Sequence, residues 1–593
     1  MPDYIAPVKD MQFVIEELAD LPALNALPGY EDATADLVEA VLEQAGVLAR
    51  EVFAPLNHVG DQHGTRIEDG VVVSPPGYAE AYRQFVDNGW QGIGKSTAVG
   101  GQGMPFLVHS AVAEMWYASN MAFALCPLLT SGAIEALETH APKALQDLYL
   151  PRMISGEWSG TMNLTEPQAG TDLAAIKTRA ERDGDHYRIH GQKIYITWGE
   201  HELSDNIVHL VLARLPDAPA GVKGISLFLV PKYLVSADGS RGERNDLRVV
   251  SVESKMGIHS SPTCVMAYGD NDGAIGYLVG EEHNGLACMF TMMNNARLEV
   301  GMQGVAIAER ACQQAVKFAA ERVQGIARGH SERSTIIHHP DVRRMLMQMC
   351  ATTEAGRALA YYASAQTDLA HHAETEQQRK QHQRRVDLII PIVKGWCTEM
   401  AQEVTYTGVQ VHGGMGFIEE TGAAQHMRDA RILTIYEGTT GIQALDLMGR
   451  KMLRDQGVAM HELIAEMKAS QQELVGSGSQ LASFALRFGA ALDALERASG
   501  NYLRNAEADP DRGSAVGVDY LMLAGHVVGG WLMAQAALAA LRRIDGGSDD
   551  GFYPRKIKTA VFFAERILPR SLSLAAMVEA GSASVMAIDA SDF

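Results

Sequence analysis

Apolar positions follow two rhythms along the chain. Over residues 1–150 they recur every three to four positions, as in amphipathic helices. Pro22, Pro28 and Gly29 break an opening helix from a longer one over about Glu31–Phe53. A turn-rich stretch, HVGDQHGTRIEDG, follows, and then predicted helices over Tyr78–Asn88, Ser110–Ala124 and Gly132–His140. Between 158 and 283 the rhythm changes to short runs of β-branched and aromatic residues. These are His186–His190, Lys193–Thr197, Ile207–Leu212, Ile225–Val230, Leu247–Val252 and Thr263–Tyr268, separated by turn signals such as Asp183-Gly184-Asp185. Short strands at this spacing predict a small β-barrel or sandwich. From Gly285 the helical period returns, with long candidates over Arg297–Val323, Val342–Ala370 and Asp387–Thr407. The polar run HHAETEQQRKQHQRR between the second and third reads as a solvated helix end and loop. Val475–Ser479, rich in Gly and Ser, reads as a linker to a final helical block.

The expected fold is α+β and multidomain. It has an N-terminal extension (1–30), an N-terminal helical domain (31–157), a middle β domain forming a small β-barrel (158–284), a four-helix bundle (285–450) and an additional C-terminal helical domain (451–593). Tyr520–Leu541 carries no formal charge over 22 residues, long enough to span a bilayer. His526, Gln535, three glycines and abundant alanine favour a helix buried in a bundle, so no stable membrane insertion is expected.

Composition narrows the function. A chain of 593 residues exceeds what one core serves, and 47% apolar with 21% charged residues is ordinary for a globular protein. The formal charge of −22 repels phosphate backbones and disfavours general nucleic-acid binding. Six dispersed cysteines form no CxxC pair, which suits reduced thiols in the cytoplasm. The N-terminus lacks the basic and apolar regions of a signal peptide. His338-His339 and His371-His372 lack carboxylate or cysteine companions at ligand spacing, so no metal site is expected.

Gly89-Trp-Gln-Gly-Ile-Gly94-Lys95-Ser96 satisfies the P-loop pattern. That motif needs a buried strand before it so that its amides wrap phosphates. The preceding AYRQFVDN is polar and helical in period, so the match reads as chance and Lys95 as a surface residue.

Three other segments bear chemistry. Met162–Asp172 (MNLTEPQAGTD) offers hydroxyls at Thr165 and Thr171 beside small residues that let a ligand approach the backbone, though it also reads as a capped turn. Gln410–Phe417 (QVHGGMGF) is a glycine-rich bend between helices. Ile432–Gln443 (ILTIYEGTTGIQ) places Glu437 after largely apolar positions. Such surroundings raise a carboxylate's pKa and strengthen it as a base. Taken alone, an exposed Glu437 beside a capping Thr439 explains the segment equally well.

Together and in this order, the motifs resemble the acyl-CoA dehydrogenase family. Leu164–Asp172 with Ala175 matches one family signature. Gln410, Gly413, Gly414, Gly416-Phe417, Glu420 and Asp429 match another, and Ile435–Thr439 matches the catalytic segment. Weaker matches lie at Gly100–Gly103, Lys255–Gly257, Arg322–Gly325 and His339-Pro340. The resemblance covers roughly residues 30–450. The length and the opening Tyr4–Pro7, Asp10 and Phe13 resemble a longer bacterial subgroup that includes 3-methylmercaptopropionyl-CoA dehydrogenases and carries an extra C-terminal helical domain.

The resemblance implies an FAD enzyme that removes an α-proton and a β-hydride from an acyl-CoA thioester and passes electrons to an electron-transfer flavoprotein. Glu437 falls on the base position, and the alternative position used by some relatives is Ala296. Thr165 and Thr197 match flavin-ring contacts. Arg322 and Gln324 match pyrophosphate-side contacts that cross a subunit interface, which implies a homodimer or dimer of dimers. Gln410, Gly413, Gly414 and Thr439 match adenine-half contacts. Thr171 and Arg297 match CoA-side residues, and Gly438 joins Glu437 at the substrate-binding turn. The backbone N–H of Glu437 matches a donor to the thioester oxygen. Tyr195, Trp198 and Gln425 depart from the usual residues, and Trp198 is expected to narrow the pocket together with Phe290 and Met293. The competing readings are an acyl-CoA oxidase and a catalytically silent flavoprotein scaffold.

Overall fold

The computed structural model describes residues 4–593; the first three residues of the expected extension lie outside it. The chain forms two compact units. A sheet unit comprises Val47–Met104 and Ser119–Ala296, and a helical unit takes the chain up to Gly46, Pro105–Ala118 and Arg297–Phe593.

In the sheet unit, β1 (Arg66–Glu68) and β2 (Val71–Val73) form a small hairpin inside the segment read as turns. There follow β3 (Trp158–Asn163), β4 (Arg179–Asp183), β5 (His186–Thr197), β6 (Asn206–Arg214), β7 (Ile225–Pro231), β8 (Tyr233–Val235), β9 (Arg241–Arg244), β10 (Leu247–Val252), β11 (Thr263–Tyr268) and β12 (Ala274–Val279). Eight of these form one sheet in the order β10-β11-β5-β12-β7-β6-β3, with β4 pairing both β5 and β6. The pairing path from β5 through β12, β7, β6 and β4 therefore returns to β5. Strands β6 and β7 are continuous apolar runs because both their faces are buried. Leu210, Leu212, Leu227 and Leu229 face one core with Ile134, Trp158 and Met292. Val211, Phe228 and Val230 face another with Ile189 and Met266. The two runs predicted around Gly191 are one strand. Gly191 has φ 151, a conformation that favours glycine, and a Cβ there would press on Thr178.

The P-loop look-alike follows the helix Tyr78–Asp87 rather than a strand, and it forms a short 3-10 turn over Trp90–Gly92. Lys95 is half-buried, not a free surface residue, and donates to the Ser131 carbonyl at 3.2 Å.

In the helical unit the helices Pro340–His372 and Glu376–His412 are joined by three residues. The polar run read as a loop is mostly the first turns of the second helix. Thr375 and Gln378 make a reciprocal capping box that starts it there. Gly301 and Gly304, on the helix Gly285–Glu321, leave room for Val393 and Cys397 of Glu376–His412. The Gly/Ser stretch is the short turn between the helices Val458–Gly476 and Ala482–Asn505.

Two helices, Phe106–His140 and Arg512–Asp545, are long and apolar enough to cross a membrane, and each is about nine-tenths buried in its apolar window. The second contains the uncharged stretch noted above. Its glycines serve packing: a Cβ at Gly525 would collide with Trp396 and one at Gly530 with Leu568.

A buried ion cluster ties distant parts of this unit. Arg357 bonds Asp10 at 2.6 Å, Glu114 at 2.6 Å and Glu309 at 2.8 Å. Lys556 bonds Asp10 and, at 2.6 Å, Glu354. All six cysteines are free thiols, and the Cys312 and Cys350 sulfurs lie 2.9 Å apart.

Candidate functional site

Glu437 sits in a tight turn between the 3-10 segment Arg431–Thr434 and the short helix Thr440–Leu445. Its φ is 56, and Gly438 follows at φ 89. Two successive left-handed residues reverse the chain sharply, and only the second is a glycine. The residue is half-buried. Burial of the carboxylate outweighs the pull of Arg297 and Lys394 and pushes it up to about 6. The backbone N–H of Glu437 has no hydrogen-bond acceptor among the described residues.

The turn is held from below. Gln443 Nε2 donates to the Glu437 carbonyl at 3.1 Å and the Gly438 carbonyl at 3.3 Å. Lys394 Nζ donates to the Gly438 carbonyl at 2.7 Å. The Tyr436 hydroxyl donates to Gln303. Thr439 does cap: its hydroxyl accepts from Ile442 N at 3.2 Å. Glu437 beside this cap is half-buried, not exposed. Arg297 is buried, with Asp446 as its ion partner at 3.7 Å.

Elsewhere in the helical unit, Gln410 ends the helix Glu376–His412, and Gly413 leaves it at φ 59. A Cβ at Gly413 or Gly414 would meet nothing within 4 Å, so the outer side of this bend is open to a ligand. Arg322 and Gln324 lie just beyond the helix Gly285–Glu321 and are exposed, as are Gln410, Gly413, Gly414 and Thr439. Exposed apolar side chains surround these positions in sequence: Val323, Ile326, Met415, Phe417 and Ile418. Gln425 is buried and donates to Asp429 at 3.2 Å one turn away.

In the sheet unit, the Thr165 segment is fastened to β5. Ile194 N donates to the Thr165 carbonyl at 2.9 Å. Lys193 donates to the Leu164 carbonyl at 2.9 Å and to Glu166 at 2.8 Å. Glu166 also accepts from the backbones of Lys177 and Thr178. Burial would raise its pKa, but Lys193 and these bonds overcome it and hold the carboxylate at about 2. Thr165 and Thr197 are half-buried, and neither hydroxyl has a partner among the described residues. Two idle hydroxyls, one on the fastened loop and one at the end of β5, fit a polar ring such as a flavin. Thr171 is exposed. Tyr195 is 60% exposed, whereas Trp198 is 1% exposed and donates to the Ala122 carbonyl at 3.1 Å. Trp198 therefore belongs to the interior of the sheet unit and does not line a pocket mouth.

Lys394, Gln443, Asp446 and the Glu166–Lys193 pair escaped the sequence reading. Lys193 stands beside a recognised motif and Lys394 a fixed 16 residues before Gln410, but no local pattern distinguishes a buried lysine from an exposed one.

The chain belongs to the acyl-CoA dehydrogenase family. The family's N-terminal domain matches residues 40–157, its middle domain 161–270 and its C-terminal domain 283–453. A further acetyl-CoA dehydrogenase C-terminal-like domain matches residues 460–589. The chain is 49% identical to a 3-methylmercaptopropionyl-CoA dehydrogenase of Ruegeria pomeroyi, over 95% of this chain and 96% of that one. It is 33% identical to a butyryl-CoA dehydrogenase of Syntrophomonas wolfei, over 96% and 95%. Its fold is shared with an acyl-CoA dehydrogenase of Bacillus anthracis complexed with FAD, at a TM-score of 0.75, 20% identity and coverage of 94% and 90%. The chain is an FAD-dependent oxidoreductase that dehydrogenates acyl-CoA thioesters.

Proposed function

We propose that Glu437 is the base that removes the substrate α-proton. The observation that carries this is the half-buried carboxylate in a left-handed turn, raised to about 6 by burial. A base is most effective when its pKa lies near the working pH. The unpaired N–H of Glu437 supplies a donor for the thioester oxygen as negative charge grows on it, an effect worth a few kcal/mol per donor in a dry site (about 3–4). Bound FAD supplies the acceptor for the β-hydride. Thr165 and Thr197 orient its ring through their idle hydroxyls. Arg322, Gln324, Gln410, Gly413, Gly414 and Thr439 hold its pyrophosphate and adenine half. Thr171, Arg297 and Gly438 serve the CoA ester side.

The exposed apolar residues beside Arg322, Gln324 and Gln410 support a homodimer or dimer of dimers in which each copy completes its partner's cofactor site. The returning pairing path supports the reading of the middle domain as a small barrel. The domain division at 30, 157, 284 and 450 is retained. Electrons pass to an electron-transfer flavoprotein, and the enzyme works in the cytoplasm. The high identity to the Ruegeria enzyme favours short acyl or thioether acyl groups.

Anaerobic titration of the purified protein with a panel of acyl-CoAs tests the reading. Bleaching of the flavin by short straight-chain or thioether acyl-CoAs is expected, with little peroxide formed on turnover in air. Rapid peroxide formation would indicate an oxidase. A flavin that no thioester bleaches would indicate a silent scaffold.

A further inference from the structure

Lys394 lies in the middle of the helix Glu376–His412 with no solvent exposure. Its ammonium donates to the Gly438 carbonyl at 2.7 Å. Burying an ammonium is costly unless a nearby charge compensates it. Hydrogen bonding alone does not call for this cost, because neutral Gln443 already donates to the same carbonyl and to that of Glu437.

The charged groups facing Lys394 are few. Glu437 faces it from the turn, Glu399 from its own helix and Arg297 from the helix Gly285–Glu321. Glu399 is engaged by the Thr440 hydroxyl at 2.6 Å. Arg297 is shared with Asp446 and also feels Arg450. Glu437 remains as the carboxylate without a direct cationic partner, one residue from the carbonyl that Lys394 holds.

We propose that Lys394 is a positioning residue for the dehydrogenation: it fixes the Gly438 carbonyl, keeps the Glu437–Gly438 turn in its left-handed form, and keeps the Glu437 carboxylate ionised in a buried site. This rests on Glu437 being the base. The pKa directions agree with the geometry. Burial pushes Glu437 up, and Arg297 and Lys394 pull it back to about 6. Burial brings Lys394 down to about 8, against the pull of Glu437 and Glu399. Between these values the pair holds one proton on the amine and none on the base, and the two limbs belong to the pair.

The test compares flavin-loaded wild type, Lys394→Met, Lys394→Arg and Glu437→Gln by the pH dependence of kcat/KM. Wild type gives an acid limb and a basic limb. Lys394→Met loses roughly 10- to 100-fold in kcat, the scale of an angstrom of misplacement. Its acid limb moves to higher pH and its basic limb disappears. Lys394→Arg keeps the charge and leaves the acid limb in place. If Lys394→Met does not retain flavin, Lys394→Gln replaces it, since it also removes the charge and shifts the same limb. A loaded neutral variant with both wild-type limbs and wild-type kcat overturns the assignment. Glu437→Gln separates the two readings. If it turns over, the base assignment falls. If it is inactive while the neutral lysine variant behaves as wild type, only the role of Lys394 falls.

Discussion

Glu437 occupies a backbone region that costs a non-glycine residue on the order of 1–3 kcal/mol. It also holds a carboxylate against burial. Both penalties fall on one residue, and both disappear from the argument if that residue is merely structural. Glu437→Gln is therefore expected to keep yellow protein, lose roughly 10²–10⁴ of turnover, and gain stability. The sign follows from the pKa. The folded value of about 6 lies above the ordinary 4.5, so the folded protein prefers the proton. The native Glu437 costs nothing below about 4.5, and its cost grows as the pH rises to about 6 and then stays constant. The shift corresponds to about 2 kcal/mol. Melting curves of both proteins at pH 5 and pH 8 check this: the Gln variant melts higher at pH 8, and the gap narrows at pH 5. A gap that widens at pH 5 would contradict the burial argument. The Glu166 carboxylate is the opposite case, because Lys193 and two backbone amides hold it ionised. The same carboxylate fastens the segment that carries Thr165.

Glycines decide how closely the helices approach. The same substitution has opposite signs at two positions, according to what a new methyl meets. At Gly525 a Cβ runs into the backbone-proximal atoms of buried Trp396, so Gly525→Ala is expected to destabilise by about 1–3 kcal/mol through overpacking. At Gly489 it meets the far end of the Gln471 side chain at 3.2 Å, so Gly489→Ala is expected to stabilise by about 0.5–1 kcal/mol through helix propensity. Denaturant midpoints of the two variants check this. A neutral Gly525→Ala would show that the interface yields. The helix start at Thr375 and Gln378 was not read from the sequence. The loop predicted there was too long because a charged helix surface and a solvated loop share one composition. Strands β8 and β9 were missed because they span three and four residues, and β3, β4 and β12 because turn residues flank them.

At the scale of the whole chain, the helical unit draws on segments from both ends of the sequence. Arg357 and Lys556 join Asp10 of the helix Val8–Glu17 to Glu114, Glu309 and Glu354. Arg357→Met leaves Glu114 and the half-buried Glu309 without their cation and Asp10 with Lys556 alone, and is expected to cost about 3–5 kcal/mol, read from chemical unfolding. The last helices are equally committed to the core, because Arg512–Asp545 covers Trp396. A chain ending at Arg450 is expected to be insoluble or to unfold cooperatively at much lower denaturant. A soluble, flavin-loaded fragment of that length would show the final domain to be an appendage.

The sequence by itself determined what is local: the helical or strand period of the longer elements, the glycine bend at Gly413 and the order of the motifs around Thr165, Gly413 and Glu437. These signals survive because backbone propensity and short motifs act within a few residues. That Glu437 is half-buried rather than exposed was decided by tertiary structure, and so was the burial of Lys394 beside Gly438. Those facts depend on helices more than 40 residues apart in the chain meeting at one turn. Burial and charge pairing are properties of that meeting, and no stretch of sequence carries them alone.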